Sequence, residues 1–212
     1  MRTRSGHGVF AAIGSAACGL ALAATWSLTP TAQTVAPGVP AWSAAGELTR
    51  PSDYREWVYV TSGLGMTYGG AADAAKQPQR FDNVFVSPSS YREFLRSGKW
   101  PDKTMFVLEI RDAQANVSIN NGGRTQGGIV GMEASVKDAA RFPEGGWGYF
   151  SFDGPQGLAG SAAPLPQTAT CYSCHRANTA VDNTFVQFYP TLFEAAKRLG
   201  TIKSTYDPTH KP

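Results

Sequence analysis

Cys171-Tyr172-Ser173-Cys174-His175 is the one run in this chain whose residue types and spacing point to a specific chemistry. Two thiols three positions apart can add to the two vinyl groups of a single haem. The next residue then lies beneath the ring, where its imidazole reaches the iron. The pattern predicts one covalently attached haem c, with Cys171 and Cys174 as thioether anchors and His175 as the metal ligand. Two other chemistries use a Cys-x-x-Cys pair. A thioredoxin-like redox pair opens a helix after an early strand of a βαβ unit, whereas this pair comes late in the chain. A zinc site needs two further ligands, and outside the first residues only His210 is left to supply one.

What binds the other side of the iron decides the function. His7 lies near the start and His210 two residues from the end, so a second histidine ligand is not expected. Met66, Met105 and Met132 could each supply a sulfur, and Met/His ligation would mark an electron-transfer cytochrome. An isolated methionine also fills a core gap. The preferred reading is an iron with one protein ligand and an open side.

The elements that position this motif read as mainly β, an α+β single domain with an antiparallel sheet, a few short helices and a C-terminal attachment segment followed by a helix. Val58-Tyr59-Val60 and Val84-Phe85-Val86 look extended, and Ser87-Pro88 starts a short helix through Tyr91, Phe94 and Leu95 that Gly98 ends. Between Thr104 and Arg111 a period of two puts Phe106, Leu108 and Ile110 on one face and Met105, Val107, Glu109 and Arg111 on the other. Asn120-Asn121-Gly122-Gly123 is a hairpin signal, with strands expected at Ile129–Val136 and Trp147–Phe152. Phe185 to Leu199 carries apolar residues at helical spacing, kinked by Pro190 and stopped by Gly200.

At 212 residues, with 42% hydrophobic, 17% charged, 23 Gly and 14 Pro, the chain is a turn-rich globular protein, neither a disordered chain nor a coiled coil. Arg2 and Arg4 precede an uncharged stretch from Val9 to Leu28, which fits a secretory signal over residues 1–23, or else an uncleaved anchor. The expected location is the periplasm. Removing the signal leaves 17 basic against 16 acidic residues, too even a balance to argue for nucleic acid. It also removes Cys18, so no disulfide framework is possible. Residues 24–50 read as a flexible linker, 51–200 as the haem domain and 201–212 as a frayed tail.

At Tyr54-Arg55-Glu56-Trp57-Val58, Val86-Ser87-Pro88 with Tyr91, Gly98-Lys99-Trp100-Pro101-Asp102, Gly131 to Asp138, Arg141-Phe142 and the haem motif with Phe185, Phe188, Tyr189 and Pro190, the sequence resembles the cytochrome P-460 family. The resemblance runs from about Pro51 to Leu199. It implies a mostly antiparallel β fold with one c-type haem, commonly a homodimer. In cytochrome P-460 proper a lysine on the strand after the Gly-x-x-x-Asp turn is cross-linked to the haem. Here that position is Leu108, and Lys103 is five residues away, where a regular strand would turn it to the other face. The lysine-free branch is similar to cytochrome c′-beta, whose apolar distal face admits small neutral gases.

The residues argue the same way. With Leu108 toward the haem, Phe106 and Ile110 flank the open site and offer a polar ligand nothing beyond the metal bond. Nitric oxide or a related diatomic would lose little, so the expected ligand is a small gaseous or nitrogenous molecule, with a redox partner protein. The alternative is an enzyme oxidising hydroxylamine or nitric oxide. Phe81 and Phe85 are further candidates for the wall or are ordinary core aromatics. Glu133 is either a proton relay or a surface or helix-capping carboxylate. Arg176 either pairs with a haem propionate or is solvated.

Overall fold

The alternation read between Thr104 and Arg111 is the centre of the architecture. β4 (Met105–Gln114) turns Phe106, Leu108 and Ile110 to one side and Met105, Val107 and Glu109 to the other. β3 (Arg80–Val86) and β5 (Thr125–Lys137) flank it antiparallel, and β2 (Val58–Leu64) and β6 (Trp147–Ser151) complete a five-stranded sheet in the order β2-β3-β4-β5-β6. Neighbours in the sheet are thus neighbours in sequence. Leu108 sits opposite Val84 on one side and Glu133 on the other, and Ile110 sits opposite Asp82 and Gly131. The computed structural model describes residues 37–68 and 77–209, all within one compact α+β unit. The expected signal at 1–23 lies outside the described residues.

Three short helices cover the Phe106 side. α1 (Pro88–Ser97) starts with a proline that needs no backbone donor and ends at Gly98, whose φ of 69° lets its N–H reach the Phe94 carbonyl. α2 (Thr170–Asn178) carries Cys171, Cys174 and His175, and α3 (Pro190–Leu199) closes the layer. Their buried partners include Val86, Phe94, Trp100, Phe106, Trp147, Tyr149 and Leu192. On the opposite face Met105, Val107, Met132, Val136 and Phe150 pack beneath Leu48, Tyr54, Trp57 and Phe152.

Three expectations change. Pro190 does not kink a single helix: Val186–Phe188 forms one 3-10 turn, and Pro190 then opens α3, because proline lacks the N–H that a continuous helix would need there. The linker is not flexible from residue 37 onward. β1 (Leu48–Thr49) pairs with β9 (Ser161–Ala162), beyond the small β7 (Asp153–Gly154) and β8 (Gly157–Leu158) hairpin, and Trp42 packs edge-on to Phe150 beneath the Arg141 guanidinium. Apolar Trp42 and Leu48 dock it, despite the prolines around them. The tail is likewise held, since Tyr206 packs edge-on to Phe193 and the Lys203 N–H bonds the Ala180 carbonyl.

Glu109 is only 3% exposed and is the hub of the covered face. It accepts hydrogen bonds from Tyr54, from Arg55 at 2.5 Å, from Arg111 at 2.5 Å and from Asn83 at 3.2 Å. Burial opposes its ionisation, but these donors outweigh that and hold the carboxyl down at about 2. A carboxyl whose folded pKa is depressed stabilises fully above its unfolded pKa and loses that contribution as pH falls toward the folded one. Urea midpoints of the unaltered chain should therefore drop between about pH 5 and pH 2. Glu109→Gln should start lower at neutral pH and fall less over that window; parallel profiles would show that the network does not respond to acid.

Candidate functional site

α2 is short and begins without a side-chain cap, at Ala169 in an extended conformation. Its positions 171, 174 and 175 are spaced i, i+3 and i+4, which puts both thiols and the imidazole on one helix face. Tyr172 points away from them, donating to the Leu165 carbonyl at 3.1 Å and packing edge-on to Tyr149. That buried tyrosine fixes the rotation of the helix. Thr179 then leaves the helix in an extended conformation and donates its hydroxyl to the His175 carbonyl at 2.5 Å.

The face opens into a cavity of about 1040 Å³ whose lining includes Cys171, Cys174, His175, Phe106, Leu108, Ile110 and Glu133. This lies at the upper end of the roughly 300–1,000 Å³ typical of organic ligand pockets. His175 sits between Tyr149 and Phe185, at ring separations of 4.4 Å and 4.6 Å. Its Nδ1 is 2.8 Å from the Asn183 carbonyl oxygen. A carbonyl can only accept, so Nδ1 carries the proton and Nε2 keeps its lone pair. Burial pushes the His175 pKa below its ordinary value, which favours this neutral form. Burial, followed by the nearby Glu133 charge, pushes the Cys171 thiol up.

The donor set fits a haem. Two thiols and a neutral imidazole with a free lone pair share one helix face, and the cavity beside them is large enough for a macrocycle.

The remaining sites expected from sequence divide clearly. Phe106 and Leu108 line the cavity with Ile110, and so does Glu133. Phe81 and Phe85 do not: strand alternation turns them to the opposite face, where Phe85 packs edge-on to Tyr54 and Tyr59. Arg176 is exposed in the last turn of α2, outside the cavity lining. Lys103 is a turn residue with φ of 65°, paired with Asp138 at 2.6 Å. Met105 and Met132 are buried in the core beyond the sheet, while Met66 lies on the cavity wall.

Sequence reasoning missed Arg80 and Asp82, which line the cavity with Val84. Their alternation along β3 was visible, but which parity faces inward depends on register. The wall is therefore not uniformly apolar, since Asp82 stands opposite Ile110 and Glu133 opposite Leu108. Burial raises the Asp82 pKa against the pull of Arg80. Glu133 opens onto the cavity yet is crowded by protein, and this desolvation, then the Asp153 and Asp82 charges, raises its pKa. Tyr68, stacked on Phe185, is pushed up to about 12 by burial and then by Asp82.

Comparison with curated proteins finds no match. The family model described as Cytochrome P460 matches residues 51–186, which spans the five-stranded sheet, most of the cavity wall and the Cys-x-x-Cys-His helix. With that match over most of its length, the chain belongs to the Cytochrome P460 family and is a haem-binding cytochrome.

Proposed function

We propose that this is an exported, periplasmic c-type cytochrome with one haem held by thioethers to Cys171 and Cys174. His175 is the only protein ligand of the iron, and nitric oxide or a similar diatomic binds on the open side. The observation that carries this reading is Leu108 on the cavity wall, at the position where the cross-linked lysine of cytochrome P-460 would stand, with no lysine among the described lining residues. When bound, the haem supplies the coordination site and the redox chemistry. The chain's own residues do the rest. Asn183 holds the imidazole proton on Nδ1, Phe106, Leu108 and Ile110 supply an apolar strip of the wall, and Arg80 on the lining would pair with a haem carboxylate.

A second reading, oxidation of hydroxylamine or nitric oxide, is favoured by Asp82 and Glu133. Both line the cavity, and burial raises both carboxyl pKa values, which eases protonation of groups that face the site.

The reduced visible spectrum of holoprotein, recorded with and without nitric oxide, tests the proposal. A high-spin five-coordinate spectrum that changes with the gas is expected, together with a denatured mass equal to chain plus one haem. A low-spin spectrum indifferent to the gas would overturn it in favour of sulfur ligation by Met66, and signs of a further cross-link would favour the oxidase.

A further inference from the structure

The carbonyl that orients His175 belongs to a turn with an unfavourable backbone. Asp182 and Asn183 are consecutive non-glycine residues with φ of 42° and 55°, a left-handed pair that persists only where its surroundings hold it. Part of that hold is ordinary packing. Val181 and Thr184 are buried and bridge each other, and the Thr184 hydroxyl donates to the Val181 carbonyl at 2.6 Å and accepts from Trp100 Nε1 at 2.8 Å.

The outer corner has a separate clamp. Asp182 Oδ2 accepts from Lys137 Nζ at 2.6 Å, and Asp182 Oδ1 accepts from Trp147 Nε1 at 3.2 Å. Lys137 and Trp147 are register partners at the β5–β6 end of the sheet, and Lys137 Nζ also donates to the Trp100 carbonyl at 2.8 Å. The clamp thus fastens the turn to the sheet, independently of the helix that carries His175.

We propose that Asp182 is a positioning residue for the iron ligand: gripped by Lys137 and Trp147, it aims the Asn183 carbonyl at His175 Nδ1 and so sets the donor strength of Nε2. A firmly held acceptor on the far nitrogen makes an imidazole a stronger ligand. A released turn lets that hydrogen bond lengthen and weakens the iron–imidazole bond. The inference rests on His175 being the ligand and adds to that reading a device in the sheet that tunes it.

Asp182→Gly separates the clamp from backbone strain, since glycine tolerates the left-handed conformation at no steric cost while removing both contacts. In ferrous holoprotein, Asp182→Gly and Lys137→Met should each shift the iron–imidazole stretching band to lower frequency and the midpoint potential upward. Lys137→Arg, which preserves the ion pair, should restore both. Folding is monitored by circular dichroism, and the Lys137 variants test the clamp even if the turn variant proves unstable. A band and potential unmoved in folded Asp182→Gly and Lys137→Met would overturn the clamp while leaving His175 as the ligand. No iron–imidazole band in the unaltered protein would overturn the ligand assignment itself, and the clamp with it.

Discussion

A chain carrying Cys171→Ala and Cys174→Ala together is expected to lose all pigment on denaturation and acid extraction, where the unaltered chain keeps it all. The helical spacing puts both thiols on the face that opens into the cavity, and among the described residues Cys171 and Cys174 are the free cysteines. Each single variant should keep one thioether and remain coloured after extraction. The fold should survive the double change, because both cysteines are only partly buried and Tyr172, which fixes the rotation of the helix, is untouched. Haem staining of a denaturing gel reads the outcome. Pigment still bound in the double variant would place the covalent attachment elsewhere and undo the assignment of the motif.

The largest stability loss is expected at Phe94→Ala. Phe94 has no exposed surface and stacks on Trp100 at 4.0 Å, joining α1 to the core beneath the cavity. Trp100 in turn meets Phe106 edge-on at 4.8 Å and donates to Thr184 in the turn below His175. Removing a buried phenylalanine costs about 3–5 kcal/mol where the surroundings relax only partly. At about 2–4 °C per kcal/mol for a chain of this size, Tm should fall by roughly 6–20 °C. Thermal unfolding of holoprotein measures it, and a drop below about 3 °C would mean the site collapses around the void. Haem content after mild heating should fall with it.

Local signals in the sequence carried far where the chemistry is local. The Pro88 start and Gly98 stop of α1 and the two faces of β4 are decided by backbone sterics and by the period of two, so they could be read from the chain alone. The motif residues of α2 share a face because of their i, i+3, i+4 helical spacing, but the sequence showed only an attachment segment there and a helix after it. What escaped depends on partners remote in sequence. Phe81 and Asp82 are adjacent, and only the pairing of β3 with β4 decides that the acid rather than the ring reaches the cavity. The region before Pro51 reads as a linker because it contains Pro30, Pro37 and Pro40 among many Ala, Thr and Gly. Its order comes from Leu48 meeting Ala162 and from Trp42 meeting Phe150. Asp182 gave no signal either, since its importance lies in a lysine and a tryptophan delivered by two other strands.

The strap formed by β1 against β9 has a consequence for the order of events during biogenesis. Its two halves are far apart along the chain, with Glu47 and Ser161 bonding across a separation of 114 residues. Contacts that enclose so long a loop form late. Leu48 and Trp42 are made early and must wait for β9, which comes only a few residues before α2. Closure of the strap therefore waits until the chain has been made almost to α2, and a chain that stalls there offers an unsealed hydrophobic face where Leu48 and Trp42 would dock.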